Sequence, residues 1–188
     1  MSTPDTSPLR PLRPRPTLRT EHLVLVPLGP EHAEGTWRLL QDDEGNRLTG
    51  TTATFTRASV DRWLAGLAAS DDRLDWAVTR AEDGAYLGEV VLNDLDAESA
   101  TMNFRIALLP EGRGRGLGTE ATRAVVEHAF SGIGLHRVTL DVLAYNPGAQ
   151  RAYEKAGFVV EGRRRHDLRW RGEWVDAVLM SILETDPR

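Results

Sequence analysis

Leu109-Pro110-Glu111-Gly112-Arg113-Gly114-Arg115-Gly116-Leu117-Gly118-Thr119-Glu120-Ala121 carries glycine at positions 112, 114, 116 and 118, between a β-rich segment and a helical one. Glycine lets the backbone approach a ligand closely, and a helix beginning just afterwards presents unpaired N–H groups and the positive end of its dipole. The combination suits a pyrophosphate. Spacing excludes two other phosphate loops. A dinucleotide fingerprint needs glycine at relative positions 1, 3 and 6, but Leu117 is sixth from Gly112 and Thr119 sixth from Gly114. A Walker loop needs Gly-Lys-Ser/Thr, a triplet that does not occur.

Upstream of this loop, segments 75–80, 85–93 and 100–109 are β-rich and separated by the turn-like stretches Glu82-Asp83-Gly84 and 94–99, which predicts three sequential antiparallel strands. A first strand over 23–26 precedes two helical patterns, 31–42 and 56–69; Thr56 is placed to cap the second, and 45–54 between them reads as loop. Downstream, apolar spacing predicts a helix over 117–130, a break at Gly132 and Gly134, and a strand over 137–143. Asn146-Pro147 then opens a short helix that Gly157 closes, and strands around 158–161 and 174–183 complete a mixed sheet. The expected fold class is α/β, one domain over residues 17–185 with a mostly antiparallel central sheet flanked by helices.

The 188 residues are 40% hydrophobic and 27% charged, which suits one compact domain. Apolar runs fall far short of the roughly 20 residues that span a bilayer, so no membrane partner is expected. Residues 1–16 hold five prolines with Arg10, Arg13 and Arg15 and no apolar stretch like a signal peptide, which reads as a disordered arm on a cytoplasmic protein. The absence of cysteine removes disulfides, thiolate metal sites and an acyl-cysteine route. A net charge of −5 argues against nucleic acid as a partner.

Arg113-x-x-Gly116-x-Gly118 at a strand-to-helix junction resembles the pyrophosphate motif of the GNAT superfamily of N-acetyltransferases, Gln/Arg-x-x-Gly-x-Gly/Ala. The preceding residues 106–111 resemble that family's fourth strand. A second match is Asn146, then Tyr153 seven residues on, then Gly157-Phe158. Seven residues is close to two helical turns, which puts Asn146 and Tyr153 near one face, made shallow by Ala149 and Ala152. The resemblance covers most of residues 18–184. The long N-terminal helical region and Gly172-Glu173-Trp174-Val175-Asp176 before Leu179-Met180-Ser181 are similar to the branch that includes ribosomal-protein alanine and serine N-acetyltransferases.

The resemblance implies a sheet splayed between its fourth and fifth strands, with acetyl-CoA as co-substrate and no metal. Main-chain N–H groups of Arg113, Gly114, Arg115, Gly116, Leu117, Gly118 and Thr119 would hold the pyrophosphate. Ile106 and Leu108, flanking Ala107, would pair with pantetheine and the acetyl carbonyl, a fixed donor where negative charge develops. Tyr153, which taken alone reads as a core aromatic, would in the company of Asn146, Gly157-Phe158 and the glycine loop protonate the departing thiolate. Asn146 would bond the pantetheine arm or cap its helix. The acceptor would be a primary amine, on a peptide, protein or small molecule, acetylated directly in a ternary complex. The alternative is a non-catalytic acetyl-CoA sensor, and a homodimer is left open.

Attack needs a neutral amine, and at pH 7 roughly one lysine in 2,500 but about one α-amine in seven is neutral. Relatives often place an acid on the fourth strand, yet residues 100–105 hold no carboxylate. Glu89 and Asp141 on neighbouring strands are the candidate bases, against a plain reading as solvated or salt-bridged surface groups. Asp94, Asp96 and Glu98 could attract a cationic acceptor but read better as an acidic hairpin loop; Arg163-Arg164-Arg165 with His166, Arg169 and Arg171 could favour an acidic substrate but read better as a solvated loop; His128 and His136 read as packing residues.

Overall fold

A computed structural model describes residues 9–187; residues 1–8 of the expected arm lie outside them. The chain runs β1 (Leu18–Arg19), β2 (Leu23–Pro27), α1 (Ala33–Leu40), α2 (Asp43–Thr49), α3 (Arg57–Leu67), β3 (Leu74–Arg80), β4 (Tyr86–Asp96), β5 (Thr101–Leu108), α4 (Leu117–Glu127), β6 (Arg137–Leu143), α5 (Pro147–Lys155), β7 (Val159–Trp170) and β8 (Glu173–Leu183). Among the described residues the strands form one sheet, ordered β1-β2-β3-β4-β5-β6-β8-β7. Each neighbouring pair is antiparallel except β5 with β6. That one parallel pair holds only at Thr101↔Arg137, Met102↔Val138 and Asn103↔Thr139, after which the two strands part. The expected mixed α/β fold with its splay is therefore present.

Strand alternation divides the molecule into two faces. Trp76, Val78, Leu87, Val90, Leu92, Met102 and Phe104 pack on one face with Ala121, Val125 and Ala129 of α4 and the turn after it. Burial of each large side chain contributes about 1.5–3 kcal/mol. On the other face, Ala77 packs under Val60, Leu64 and Leu67 of α3 and Leu28. Thr56 caps α3 as expected: its hydroxyl accepts from the Ser59 N–H at 3.1 Å, and the Ser59 hydroxyl accepts from the Thr56 N–H at 3.0 Å. Among the described residues no helix is long and apolar enough to cross a membrane.

Four local expectations are corrected. Residues 45–49, read as loop, are helical in α2, although Asp43-Glu44-Gly45-Asn46-Arg47-Leu48-Thr49 has no apolar stripe; contacts from distant residues hold it, as described below. The turn read at 94–99 begins later, because β4 runs on to Asp96. The arginine run at 163–165 is strand, inside β7, because the long hairpin with β8 continues to Trp170↔Glu173. Residues 9–16 are laid against the domain: Leu12 is buried, the Arg10 N–H donates to the Ile133 carbonyl at 2.9 Å and the Trp76 indole to the Pro16 carbonyl at 2.8 Å. A proline-rich segment has less chain entropy to lose on ordering, so a few such contacts suffice.

Candidate active site

The glycine loop leaves β5 through a turn at Pro110–Gly112 and enters α4 at Gly116, whose φ of +81° is the left-handed conformation that glycine adopts without strain. A Cβ built on Gly114 or Gly116 would meet open space, and the main-chain N–H groups of residues 114–119 hydrogen-bond to no described residue. Unpaired donors at the positive end of an eleven-residue helix, under an open approach, fit a pyrophosphate. The Arg113 side chain turns elsewhere. Its Nε donates to the Leu108 carbonyl at 2.7 Å and a terminal nitrogen pairs with Asp42, which joins the loop to the start of α2.

At the splay, the Leu109 N–H bonds to the Leu87 carbonyl at 2.8 Å, and Ala107 stands opposite Glu89. Antiparallel alternation then directs the main-chain groups of Ala107 toward β4 and those of Ile106 and Leu108 toward the gap. With the Leu108 carbonyl taken by Arg113, the Leu108 N–H and both main-chain groups of Ile106 face the opening. Across it, Tyr153 is buried, its ring 6.1 Å from Phe104 and 6.0 Å from Phe158. Its hydroxyl bonds to no described residue. Burial raises its pKa above the ordinary tyrosine value; Asp141 adds to the shift and Arg105 opposes it, so the phenol stays protonated.

Asn146 uses its amide at both ends. Oδ1 caps α5 by accepting from the Ala149 N–H at 3.1 Å, and Nδ2 donates to the Leu48 carbonyl of α2 at 3.2 Å. The cap reading is present; the amide's other bond runs to α2. Tyr145 beside it donates to the Arg47 carbonyl. Helices α4 and α5 lie side by side, the Thr119 hydroxyl 3.5 Å from the Ala152 carbonyl.

Glu89 overturns its reading as a surface group. A bulge, at which Gly88 faces Val78 but Tyr86 faces Thr79, puts Tyr86 and Glu89 on the same side of β4, although an odd spacing of three would normally separate them. Gly88 is required there, since a Cβ would stand 2.1 Å from the Ala107 carbonyl. Glu89 is thereby partly buried under α1 and accepts from the Tyr86 and Thr36 hydroxyls, both at 2.5 Å. Burial raises its pKa; the two hydroxyls oppose that, buried Asp75 adds to it and Arg73, ion-paired to Asp75 at 2.6 Å, opposes. The Tyr86 phenol is itself pushed up by burial and by Glu89, with Arg38 opposing.

Asp141 keeps the salt-bridged reading, 3.5 Å from Arg164. Asp96 accepts from the N–H groups of Glu98 and Ser99, both at 3.0 Å, which fits the acidic hairpin turn. His128 packs edge-on to Trp76 at 5.9 Å, and burial lowers its pKa. His136, expected to pack, is half-exposed and pairs with Glu184 at 2.9 Å because it lies at the start of β6 beside the chain's last turn. Among the described residues no cluster of three or more acidic or histidine side chains is arranged to hold a metal ion.

The family model described as an acetyltransferase (GNAT) domain matches residues 22–159. The chain belongs to the GNAT acetyltransferase family. Spermidine N(1)-acetyltransferase of Escherichia coli (strain K12) is 31% identical over 54% of this chain and 55% of its own. YdaF of Bacillus subtilis (strain 168), named for ribosomal N-acetylation, is 29% identical over 55% of this chain and 57% of its own. The matched stretch thus spans little more than half of these curated relatives. The crystal structure of spermidine N-acetyltransferase from Vibrio cholerae in complex with CoA and spermine superposes with a TM-score of 0.83 at 21% identity, covering 89% of this chain and 98% of that one. The GNAT fold is shared over nearly the whole chain.

Sequence reasoning missed Thr36, Tyr86, Asp42 and Tyr145 as parts of this GNAT site. Gly88 immediately before Glu89 was the signal available for the first two, since a glycine inside a strand marks a bulge. Contacts 98 residues apart, such as Tyr145 to Arg47, leave no local signal.

Proposed function

We propose that the chain is an acetyl-CoA-dependent N-acetyltransferase that moves the acetyl group directly to a primary amine in a ternary complex. The observation that carries this reading is the splay of β5 from β6, with free main-chain donors on one lip and the protonated Tyr153 hydroxyl on the other. The main-chain N–H groups of residues 114–119 would hold the pyrophosphate, without the expected Arg113 N–H, which the Pro110 carbonyl takes at 3.2 Å. The Leu108 N–H would meet the thioester oxygen where negative charge develops, an interaction worth about 2.7–4 kcal/mol in comparable sites. Glu89, cross-strand from Ala107, would take the amine proton through a water, and its raised pKa brings it nearer to working pH than an ordinary carboxylate. The amine nitrogen bonds to the carbonyl carbon, the C–S bond breaks, and Tyr153 gives its proton to the leaving sulfur. Family membership and the names of the relatives support an amine acceptor.

The test is thiol release from acetyl-CoA with a panel of peptides, amino acids, diamines and small amines. Release that depends on the amine, with stoichiometric N-acetyl product, is expected. Tight acetyl-CoA binding without release above hydrolysis across the panel would instead identify a sensor.

A further inference from the structure

Arg105 has no task in the reading above. It is exposed on the same face of β5 as Ala107, and no hydrogen bond or ion pair ties it to a described residue. It stands opposite Val91, two residues or about 7 Å along the strand from Ala107, which stands opposite Glu89. Arg105 on β5 and Asp141 on β6 each lie two residues past Asn103↔Thr139, the last pair before the two strands part, which puts them on opposite sides of the splay. Asp141 is already neutralised by Arg164 at 3.5 Å, and Arg164 also pairs with Asp167 at 2.8 Å. The cation there without a partner among the described residues is the guanidinium of Arg105.

We propose that Arg105 anchors an anionic group of the acceptor, so that the substrate class is a primary amine bearing a carboxylate a few bonds from the reacting nitrogen. The proposal rests on the acetyltransferase reading and specifies its acceptor. An amine delivered level with Ala107, beside Glu89, leaves its carboxylate within reach of an arginine two residues along the same strand. A guanidinium grips a carboxylate through two parallel hydrogen bonds, which fixes orientation as well as position. A polyamine would bring a second ammonium to the same place, where Arg105 repels it.

Thiol release from acetyl-CoA tests this with matched acceptors: amino acids with one to four carbons between amine and carboxylate, the corresponding primary amides, and diamines of equal length. For the parent, kcat/KM is expected to be at least about tenfold higher for an acid than for its amide at the best length, with diamines slowest. Arg105→Gln should raise KM for the acids about tenfold while leaving kcat and the amide kinetics within about twofold. Arg105→Glu should invert the order in favour of diamines. Equal rates for acid and amide, faster diamines in the parent, or an unchanged acid-to-amide ratio in Arg105→Gln overturns the proposal alone. No thiol release above hydrolysis with any of these amines overturns the acetyltransferase reading and this proposal with it. Melting curves of both variants confirm that altered kinetics come from folded protein, as the exposure of Arg105 leads one to expect.

Discussion

The two faces of the sheet are built on different principles. On the face of α4 and α5, short local motifs make the site: a glycine loop, a helix N-terminus, an Asn cap and a tyrosine two turns further on. On the face of α1 and α2, the site is made of side chains brought from far apart: Thr36 with Glu89, Asp42 with Arg113, and Arg47 and Leu48 with Tyr145 and Asn146. The difference teaches that the half proposed to hold the acyl donor is prefabricated in the sequence, while the half proposed to meet the acceptor is assembled by folding. Arg113 and Asn146 each belong to a donor-side motif and hold one end of α2, so the two halves are mechanically joined.

Replacing Glu89 by Gln should give the largest effect, because it removes chemistry from the acceptor face while preserving shape. Turnover at pH 8 is expected to fall about 10²–10³-fold with acetyl-CoA affinity unchanged. The pH dependence sharpens the point. Glu89 accepts a proton only when ionised, and its pKa is raised, so the acid limb of kcat/KM should lie above the ordinary glutamate value of about 4.3 and vanish in Glu89→Gln. Stability runs the opposite way. A carboxyl whose pKa is raised by folding favours the native state at low pH, and that contribution is lost as pH rises through the folded pKa. Glu89→Gln should therefore melt no lower than the parent at pH 8, read by calorimetry; a large loss of stability with normal turnover would return Glu89 to a structural role.

Gly116→Val attacks the other face. A branched residue at φ +81° is strained, and its side chain would fill the open approach to the helix N-terminus, so acetyl-CoA affinity should drop about 100-fold by calorimetric titration. Parent-like binding by the folded variant would break the loop assignment. Tyr153→Phe keeps the ring against Phe104 and Phe158, so binding should hold while turnover falls roughly tenfold to a hundredfold, the lower end because a thiolate is already a fair leaving group. Full activity when chemistry limits the rate would make it a core aromatic only.

Tyr145→Phe is the smallest change and tests the junction between the faces. Losing one hydrogen bond to α2, worth about 1 kcal/mol, should raise the acceptor KM about fivefold with acetyl-CoA binding unmoved. An effect on acetyl-CoA instead would show that α2 serves the donor side.

The order of strands, the glycine loop, the α5 cap and Tyr153 were legible because each rests on local chemistry: alternation within a strand, positive φ at glycine, a side chain bonding an N–H three residues on. The sequence by itself therefore determined the GNAT frame and the local motifs proposed to hold the acyl donor. Tertiary structure alone decided that Asp43–Thr49 is helical, that a bulge turns Tyr86 and Glu89 to the same side, that the arginine run at 163–165 is a strand, and that Arg105, past the last β5–β6 pair, has no partner among the described residues. The physical reason is range. Helix α2 lacks an apolar stripe and is held by residues about 70 and 98 positions away, and the pairing or isolation of a charge depends on which strands part and where, which no window of sequence contains.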